Sequence, residues 1–295
     1  MVKKTGYVAL IGRPNAGKST LLNHLIGQKI CITSRRPQTT RHRIHGIKTT
    51  EQGQIIYVDT PGMHDSEKRA MNRYLNRTAD SVLQGVDVVV WLVDQWSWQA
   101  DHDWMLAKIK HASCPVILAV NKIDQCEDKD RLLPFLEKAA SEFDFAAIIP
   151  ISALRQTNLD VLEKQIMALL PEAEPIYPDD QITDRSERFM AAEIIREKLI
   201  RCLGQEVPHA ITIEIEMFKQ EGKLVRIHAI IWVERDGQKQ IVIGTDGEVL
   251  KKVGQRARED IEKLIGSKVY LNLWVKVKKG WSDNERALLS LGYND

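Results

Sequence analysis

The chain has 295 residues, with 42 lysines and arginines against 40 aspartates and glutamates, so its formal net charge is +2. This length predicts two domains of ordinary size, and the near-neutral total excludes a histone-like, wholly basic nucleic-acid binder. The charge is unevenly distributed, because ten basic residues and no acidic residue precede Glu51. This asymmetry predicts an anionic partner for the N-terminal stretch, although some of these side chains are expected to be ordinary solvated lysines and arginines.

Hydropathy and cysteine usage exclude several other classes of protein. No apolar run approaches the roughly 20 residues that are needed to span a bilayer. The N-terminus lacks the apolar core of a signal peptide. The four cysteines are scattered without a C-x-x-C pair, which predicts neither disulfides nor a zinc site. We therefore expect a cytoplasmic protein with reduced thiols.

Strand-like and helix-like segments alternate over residues 1 to about 170. This alternation predicts an α/β domain in which helices flank a mainly parallel sheet, since continuous apolar runs fit strands buried on both faces. The predicted strands are Tyr7–Ile11, Ile55–Asp59, Val86–Asp94, Pro115–Asn121 and Ala147–Ser152. The predicted helices are Lys18–Gly27, Arg69–Leu83, Asp101–Ala112 and Asp130–Phe143.

A proline-rich, acidic segment at residues 171–184 separates the two halves of the chain. Proline removes a backbone donor and disfavours helix just before it, so this composition predicts a linker. We place the first domain at residues 1–172, the linker at residues 173–184 and the second domain at residues 185–295.

The second half has a different order of predicted elements, which indicates a smaller α+β domain. Gln240–Gly244 is β-like and is expected to be a short strand. Ser282 is followed by Glu285 three residues later, which predicts a capping box at the start of a terminal helix, Ser282–Leu291. The other predicted elements are a helix around Phe189–Cys202, strands at Ala210–Phe218, Val225–Glu234 and Lys268–Lys278, and a helix from the Gly244–Gly247 loop to about Ile265.

Residues 12–19 match the phosphate-binding pattern G-x-x-x-x-G-K-[ST] between a predicted strand and a predicted helix. Backbone amides of such a loop wrap phosphates, and the start of the following helix adds a positive dipole. Lys18 is expected to reach the β- and γ-phosphates and Ser19 to ligate Mg²⁺; a chance match in a glycine-containing turn is the alternative. The nucleotide-binding residues assigned here are Gly12, Arg13, Pro14, Asn15, Ala16, Gly17, Lys18, Ser19 and Thr20.

A second motif, Asp59-Thr60-Pro61-Gly62, ends the predicted strand Ile55–Asp59. The carboxylate of Asp59 is expected to hold Mg²⁺, directly or through water. The Gly62 amide is expected to approach the γ-phosphate, because glycine has no Cβ. Taken alone, this sequence is also compatible with an ordinary exit from a strand into a turn.

Two further motifs predict which base is bound. Asp124, within Asn121-Lys122-Ile123-Asp124, offers acceptors to the N1–H and 2-amino group of guanine. Adenine has neither donor and would leave the carboxylate unpaired, so we predict GTP rather than ATP. Ser152-Ala153-Leu154 follows the next strand and is expected to present a backbone amide to guanine O6.

A threonine in Thr39-Thr40-Arg41 is expected to complete the Mg²⁺ shell when GTP is bound. We favour Thr40, with Thr39 as the alternative. The loop would then be ordered by the γ-phosphate and released after hydrolysis. The candidate catalytic residues are accordingly Lys18, Thr40 and Gly62. The candidate Mg²⁺ ligands are Ser19, Thr40 and Asp59.

Together these motifs resemble translation-factor-like P-loop GTPases, and their residues are most similar to the TrmE–Era family. The resemblance implies hydrolysis of GTP to GDP and phosphate. It also implies that Met63 stands where Ras-like enzymes have a water-orienting glutamine, so hydrolysis is slow or needs another group. Asn15 matches an asparagine that helps to bind a monovalent cation in potassium-stimulated relatives, which makes K⁺ a second candidate cofactor. Arg13 and Arg41 are alternative sources of that positive charge, although the favoured interpretation is that they are ordinary solvated loop arginines.

The loop Gly244-Thr245-Asp246-Gly247 stands before a predicted helix, in an order of elements that resembles a type II KH domain. The resemblance implies a short helix before this loop, as the alternative to the local strand at Gln240–Gly244. KH domains clamp about four single-stranded nucleotides beside this loop. An acidic Asp246 is unfavourable next to phosphates, so nearby cations are expected to compensate; a solvated surface is the alternative. These cations are Lys251, Lys252, Arg256, Lys276 and Lys278. Phe218 and Trp281 are candidates for base stacking, although packing in the core is the favoured role.

The combination of both halves resembles Era-type GTPases over nearly the whole chain, including residues 33–35, 38–43, 182–186, 274–278 and 285–293. This resemblance implies binding near the 3′ end of 16S rRNA, assistance in 30S subunit maturation and a monomeric protein. It also implies peripheral contact with the inner membrane, for which the sequence has no anchor. Two alternatives remain: an RNA-binding module with a vestigial nucleotide site, and a related GTPase that acts on tRNA or the large subunit.

Overall fold

The structure, a computed structural model, describes residues 2–34, 36, 38–63, 69–126, 132–203 and 210–293. The chain divides into two compact units, one formed by residues 1–66 and 75–184 and the other by residues 67–74 and 185–295. The domain bounds predicted from the sequence, at residues 1–172, 173–184 and 185–295, stay a prediction. Arg35 and the predicted first residues of the fourth helix, Asp130 and Arg131, lie outside the described residues.

The first unit is built on one twisted sheet. Its strands are β1 (Lys4–Gly12), β2 (Ile44–Thr50), β3 (Gly53–Asp59), β4 (Val88–Val93), β5 (Val116–Val120) and β6 (Ala147–Pro150). Their order is β2-β3-β1-β4-β5-β6. Only the β2–β3 pair is antiparallel among these described strands. The strands β3, β4 and β5 are buried along their whole length, as the apolar runs predicted.

Helices cover this sheet. The loops that carry the motifs follow the carboxyl ends of its strands. They are α1 (Lys18–Ile26), α2 (Ala70–Leu83), α3 (Ala100–Ile109), α4 (Leu132–Glu142) and α5 (Leu159–Leu169), and residues 70–74 of α2 belong to the second unit. The strand β2 and the helix α5 were not among the predicted elements. The sequence of β2, IHGIKTT, contains a glycine and polar residues that weaken a strand signal. In α5, Leu159, Leu162 and Ile166 form a buried stripe at helical spacing.

The segment predicted to be a linker is bound to the first unit. The amides of Ile176 and Tyr177 both donate to Oε1 of Gln54, at 2.9 Å. Further along, the amide of Ile47 in β2 donates to the carbonyl of Ile182 at 2.9 Å. The bond from Ile47 satisfies part of the otherwise open edge of β2, which is a usual way to protect an edge strand.

The second unit packs helices on one face of a smaller sheet. Its elements are α6 (Glu187–Cys202), β7 (Thr212–Glu221), β8 (Leu224–Val233), α7 (Asp236–Ile243), α8 (Glu248–Ile265), β9 (Lys268–Val277) and α9 (Glu285–Ser290). The strand order is β7-β8-β9, with β7 antiparallel and β9 parallel to β8. A hydrophobic core between α6, α8 and the inner face of the sheet includes Ile195, Leu199, Ile227, Ile231 and Ala257.

Two sequence predictions in this unit are wrong. Gln240–Gly244 is not a strand, because Asp236–Ile243 forms α7 and Gly244 follows it. Val242 is buried against the core there, so tertiary packing outweighs local β propensity.

The predicted capping box at Ser282 is also wrong. The hydroxyl of Ser282 donates to Oε1 of Glu234 at 2.6 Å. The cap of α9 is Asn284, whose side chain accepts a hydrogen bond from the amide of Ala287 at 3.0 Å. Residues 281–283 form a short 3₁₀ turn before the cap, which delays the start of the α-helix by three residues.

Candidate functional site

A cavity of about 520 Å³ lies in the first unit and collects the predicted motifs. Its walls come from residues 14–15, 17–20, 32–34, 36, 38–40, 62, 121–122, 124–125 and 153–154. Loops that follow β1, β3, β5 and β6 meet here because the carboxyl ends of parallel strands lie along one edge of a sheet. The sheet therefore brings together segments that are up to 140 residues apart in the sequence.

The phosphate-binding loop joins β1 to α1 and surrounds Lys18. Lys18 is only 5% exposed. Its ammonium group donates to the carbonyls of Gly12 and Arg13, at 2.8 and 2.9 Å. Burial lowers the pKa of Lys18 to about 8, against the opposite influence of the Asp59 and Asp94 carboxylates. An anion placed in this loop would favour the charged form of this amine.

Asn121 ties three of the motifs together. Its amide nitrogen donates to the carbonyl of Ala16 at 2.7 Å, and its amide oxygen accepts from the amide of Ala153 at 2.9 Å. A Cβ at Gly17, whose φ is +104°, would collide with that same side-chain nitrogen. The side chain of Asn121 is thus committed to holding the loops in register.

Ser19, Thr40 and Asp59 converge at one point. The Ser19 hydroxyl donates to Oδ2 of Asp59 at 2.8 Å and lies 2.8 Å from the Thr40 hydroxyl. Thr40 donates to the same oxygen at 3.3 Å. Burial raises the pKa of Asp59, opposed by the charge of Lys18 and by hydrogen bonds that include those from Ser19 and Thr40.

The other carboxylate oxygen of Asp59 fits a bound cation. Oδ1 is buried and has no hydrogen-bond partner, and such an atom is costly unless something else compensates it. Carboxylate and hydroxyl oxygens are the hard ligands that Mg²⁺ prefers. Among the described residues, no group of three His, Cys, Asp or Glu side chains could hold a metal instead. These three residues therefore match the predicted Mg²⁺ site.

The neighbouring residues are engaged elsewhere. The Thr39 hydroxyl donates to the carbonyl of Arg36 at 2.6 Å, away from Asp59. The Thr60 hydroxyl donates to the carbonyl of Leu10 at 2.8 Å, and the adjacent Pro61 is buried. The Met63 side chain is buried in the core between the sheet and α3, so it does not orient water.

Gly62 lies directly against the phosphate-binding loop. A Cβ on Gly62 would be 2.5 Å from the backbone nitrogen of Pro14. This is a steric clash that the backbone cannot relieve by a small movement. Glycine is therefore required for this close approach. Its amide is held beside the cavity that the loop encloses.

The far end of the cavity contains the residues predicted to recognise the base. The Ser152 hydroxyl donates to Oδ1 of Asp124 at 2.5 Å, which fixes the exposed carboxylate. Lys122 pairs with Asp94 at 2.5 Å. Leu154 is exposed beside them and lines the cavity. These contacts leave one oxygen of Asp124 to face a ligand.

The two arginines considered as charge donors occupy different surroundings. Arg13 pairs with Asp101 at 2.8 Å and donates to Oε1 of Gln95 at 2.9 Å. Arg41 is almost completely buried. Asn15, by contrast, is exposed in the cavity wall with a φ of +65°.

In the second unit, the Gly244–Gly247 loop joins α7 to α8. Gly244 and Gly247 have φ values of +74° and +76°, and Asp246 has +51°. A Cβ on Gly244 would lie 2.5 Å from a Val249 methyl carbon. The loop therefore presents its backbone at the positive end of α8. Lys251, Lys252 and Arg256 are exposed along α8, whereas Lys276 and Lys278 lie on or just beyond β9.

Neither predicted aromatic candidate is free to stack on bases. Trp281 is fully buried and donates to the carbonyl of Ala210, and Phe218 packs against the core. Sequence reasoning missed Tyr270 and Trp274, which are exposed on β9. Their signal was the alternation of β9, in which every second residue is apolar and faces inward.

Comparisons with known proteins follow the same division. Residues 7–122 match the family model described as 50S ribosome-binding GTPase, and residues 206–282 match that of the KH domain. The fold and the site define a P-loop GTPase that carries a C-terminal KH domain, as the sequence predicted. None of the described helices is long and apolar enough to cross a membrane.

Full-length relatives specify the family. GTPase Era of Ectopseudomonas mendocina is 59% identical over 294 residues, covering 100% of this chain and 98% of the relative. GTPase Era of Pseudomonas aeruginosa strain LESB58 is 58% identical, with coverage of 99% and 96%. The chain belongs to the GTPase Era family and is a GTPase, which confirms the resemblance seen in the sequence.

Two solved structures agree with this assignment. A variant of Aquifex aeolicus Era bound to GDP·AlF4⁻ has a TM-score of 0.95 at 38% identity, covering 99% of this chain and 100% of that chain. Era in complex with MgGDPNP and nucleotides 1506–1542 of 16S ribosomal RNA has a TM-score of 0.96, with the same identity and coverage.

The adjacent threonines provide a matched pair for testing the metal site. Thr40→Ala is expected to lower Mg²⁺-dependent GTP hydrolysis at least about tenfold, because it removes one of three converging oxygens. Thr39→Ala should stay near the wild-type rate, since its hydroxyl bonds to Arg36. Single-turnover phosphate release across a Mg²⁺ titration measures both. An equal loss in the two variants would contradict the assignment.

Proposed function

We propose that this GTPase binds 16S rRNA near its 3′ end and assists maturation of the 30S subunit. The observation that carries the proposal is the full-length similarity to Era in complex with MgGDPNP and nucleotides 1506–1542 of 16S rRNA. The KH match over residues 206–282 supports it, because KH domains bind single-stranded RNA.

In the proposed reaction, the first unit holds GTP in the 520 Å³ cavity. The amides of the phosphate-binding loop and the Lys18 ammonium neutralise charge on the β- and γ-phosphates, which is the main source of catalysis in phosphoryl transfer. The Gly62 amide senses the γ-phosphate from the opposite side. Asp124 and the Ala153 amide select guanine by the hydrogen bonds that adenine lacks.

Ser19, Thr40 and Asp59 hold Mg²⁺ in this proposal. A Mg²⁺ ion held by these three residues would neutralise the charge that develops on the phosphate oxygens. Thr40 comes from the segment between α1 and β2, so its bond to the site couples that segment to the γ-phosphate. Loss of this phosphate on hydrolysis would release Thr40 and its loop, which is the usual switch of GTPases.

The second unit supplies the RNA-binding surface. Four nucleotides fit beside the Gly244–Gly247 loop, with phosphates near the start of α8 and its cations Lys251, Lys252 and Arg256. Lys276 and Lys278 extend the positive charge beyond β9. The cytoplasmic location, which the composition predicts, and the monomeric state and peripheral contact with the inner membrane, which the resemblance implies, stay predictions.

The central test combines hydrolysis with RNA crosslinking in cells. Wild-type protein is expected to release phosphate from GTP, whereas Lys18→Ala should lose most of this activity because the phosphates lose their cation. Crosslinked reads from the wild type should concentrate at the 3′ end of 16S rRNA. Reads concentrated on 23S rRNA or tRNA would instead support the second candidate, which the family description as a 50S ribosome-binding GTPase favours.

Asn15 allows the potassium prediction to be tested. GTP hydrolysis should be faster in KCl than in NaCl at equal ionic strength, because a monovalent cation beside the phosphates would supply positive charge. Asn15→Ala, at an exposed position of the cavity wall, should remove the difference between the two salts. Equal wild-type rates in both salts would rule potassium out as a cofactor.

Asp246 is expected to weaken RNA binding, because it places a negative charge beside the phosphates. Asp246→Lys should tighten binding and steepen the salt dependence by about one unit of slope. Fluorescence anisotropy with a labelled 16S 3′-end RNA at several salt concentrations measures both quantities. Asp236→Lys, an exposed position at the other end of α7, makes the same change in net charge and controls for it. Equal effects of both variants would show that the loop does not contact phosphate.

A further inference from the structure

Among the described residues of the second unit, the hydrophobic core lies on one face of the sheet, and the opposite, outer face contributes none of its members. Val225, Ile227 and Val269 point toward the helices, whereas residues at the alternate positions point away. The side chains of Tyr270 and Trp274 lie on this outer face and are 47% and 54% exposed as residues. They are four positions apart along β9, which corresponds to about 13 Å along the strand.

Cations stand beside the aromatic rings of this face. The guanidinium of Arg226 lies 5.1 Å from the ring centre of Tyr270. The ammonium groups of Lys276 and Lys278 lie 5.9 and 5.8 Å from the ring centre of Trp232. Aromatic rings interleaved with cations are the pattern by which single-stranded nucleic acids are bound, because bases stack on rings while phosphates meet cations.

The two edges of the outer face differ in charge, with basic residues on β9 and acidic residues on β7. Residues 268–282 include four lysines and no acidic residue, so β9 and its continuation are strongly basic. The acids of the face are on β7: Glu216 lies 3.6 Å from Lys276, Glu221 lies 2.7 Å from Arg226, and Glu214 accepts a hydrogen bond from Nε1 of Trp232 at 2.7 Å. Such exposed pairs contribute little and are readily displaced by a polyanion.

The position of β9 connects this face to the Gly244–Gly247 loop. β9 is an edge strand, paired only with β8 among the described strands, and α7, which leads into the loop, packs against it. Because α7 leads into the loop and contacts this edge strand, an RNA strand that leaves the loop could continue across β9 onto the outer face.

We propose that the outer face of the β7-β8-β9 sheet is a second RNA-binding surface, on which Tyr270 and Trp274 stack bases of a single-stranded segment that continues beyond the loop. This inference extends the proposed function, since it assumes that the loop itself binds RNA. The surface is chemically suited to unpaired bases, because paired bases do not expose their ring faces.

The test compares two RNA lengths with the full chain. One probe is a four-nucleotide RNA that fills the loop site alone, and the other is a longer single-stranded RNA from the 3′ end of 16S rRNA. Tyr270→Ala/Trp274→Ala should weaken binding of the longer RNA about tenfold or more, because each lost stack removes at least several-fold in affinity. Binding of the short RNA and the GTP hydrolysis rate should not change.

Matched variants separate stacking from other effects. Tyr270→Phe/Trp274→Phe keeps a ring at both positions and should bind the longer RNA within about threefold of wild type. Leu289→Ala, at an apolar side chain of similar exposure in the same unit, should have no effect. Ultraviolet crosslinking of the longer RNA should join it to the peptide that contains residues 268–278.

Several outcomes would overturn the proposal. If the alanine variant binds the longer RNA as wild type does, while Lys251→Glu/Lys252→Glu loses affinity, the outer face is not an RNA site and the loop function stands. If the alanine variant binds free RNA normally but loses association with 30S particles, the face binds protein instead. If the wild type binds neither RNA, the RNA-binding function itself fails.

Discussion

The first unit depends on one buried carboxylate, that of Asp59. A charged group in this position is costly, and the raised pKa of Asp59 reflects that cost. The protein compensates one oxygen with the hydroxyls of Ser19 and Thr40 and leaves the other buried without a partner. A bound cation would compensate that second oxygen, and the Asp59 carboxylate links the phosphate-binding loop, the segment before β2 and the end of β3.

Asn121 performs a complementary role with neutral chemistry. One amide group both donates and accepts, so it joins the phosphate-binding loop to the segment at Ala153 without burying a charge. The two ends of the cavity are thus held by different means: the base end by a fixed hydrogen-bond network and the phosphate end by charges. Only the charged end is expected to respond to hydrolysis, because only there does the ligand change.

The sequence predicts a site correctly where a short motif contains all the residues that its chemistry needs. It predicts wrongly where residues distant in the sequence determine the local structure. Thr39 and Thr40 carry the same hydroxyl, so the sequence favours one only by its position; the fold directs Thr40 toward Asp59 and Thr39 toward Arg36. The helix α7 overrode a β-like sequence because Val242 packs into the core. Likewise, Ser282 had a good local cap pattern but found a better partner in Glu234, 48 residues away.

The sequence by itself determined the class of protein, the nucleotide motifs and the order of the two halves, because glycines, a lysine and carboxylates at fixed spacings have few alternative uses. Only the tertiary structure decided which side chains meet. It assembled the Asp59 site from three distant segments, buried Trp281 and exposed Trp274. Contacts of this kind depend on which strands are neighbours and which face of a sheet the helices cover, and neither is encoded in any local window of residues.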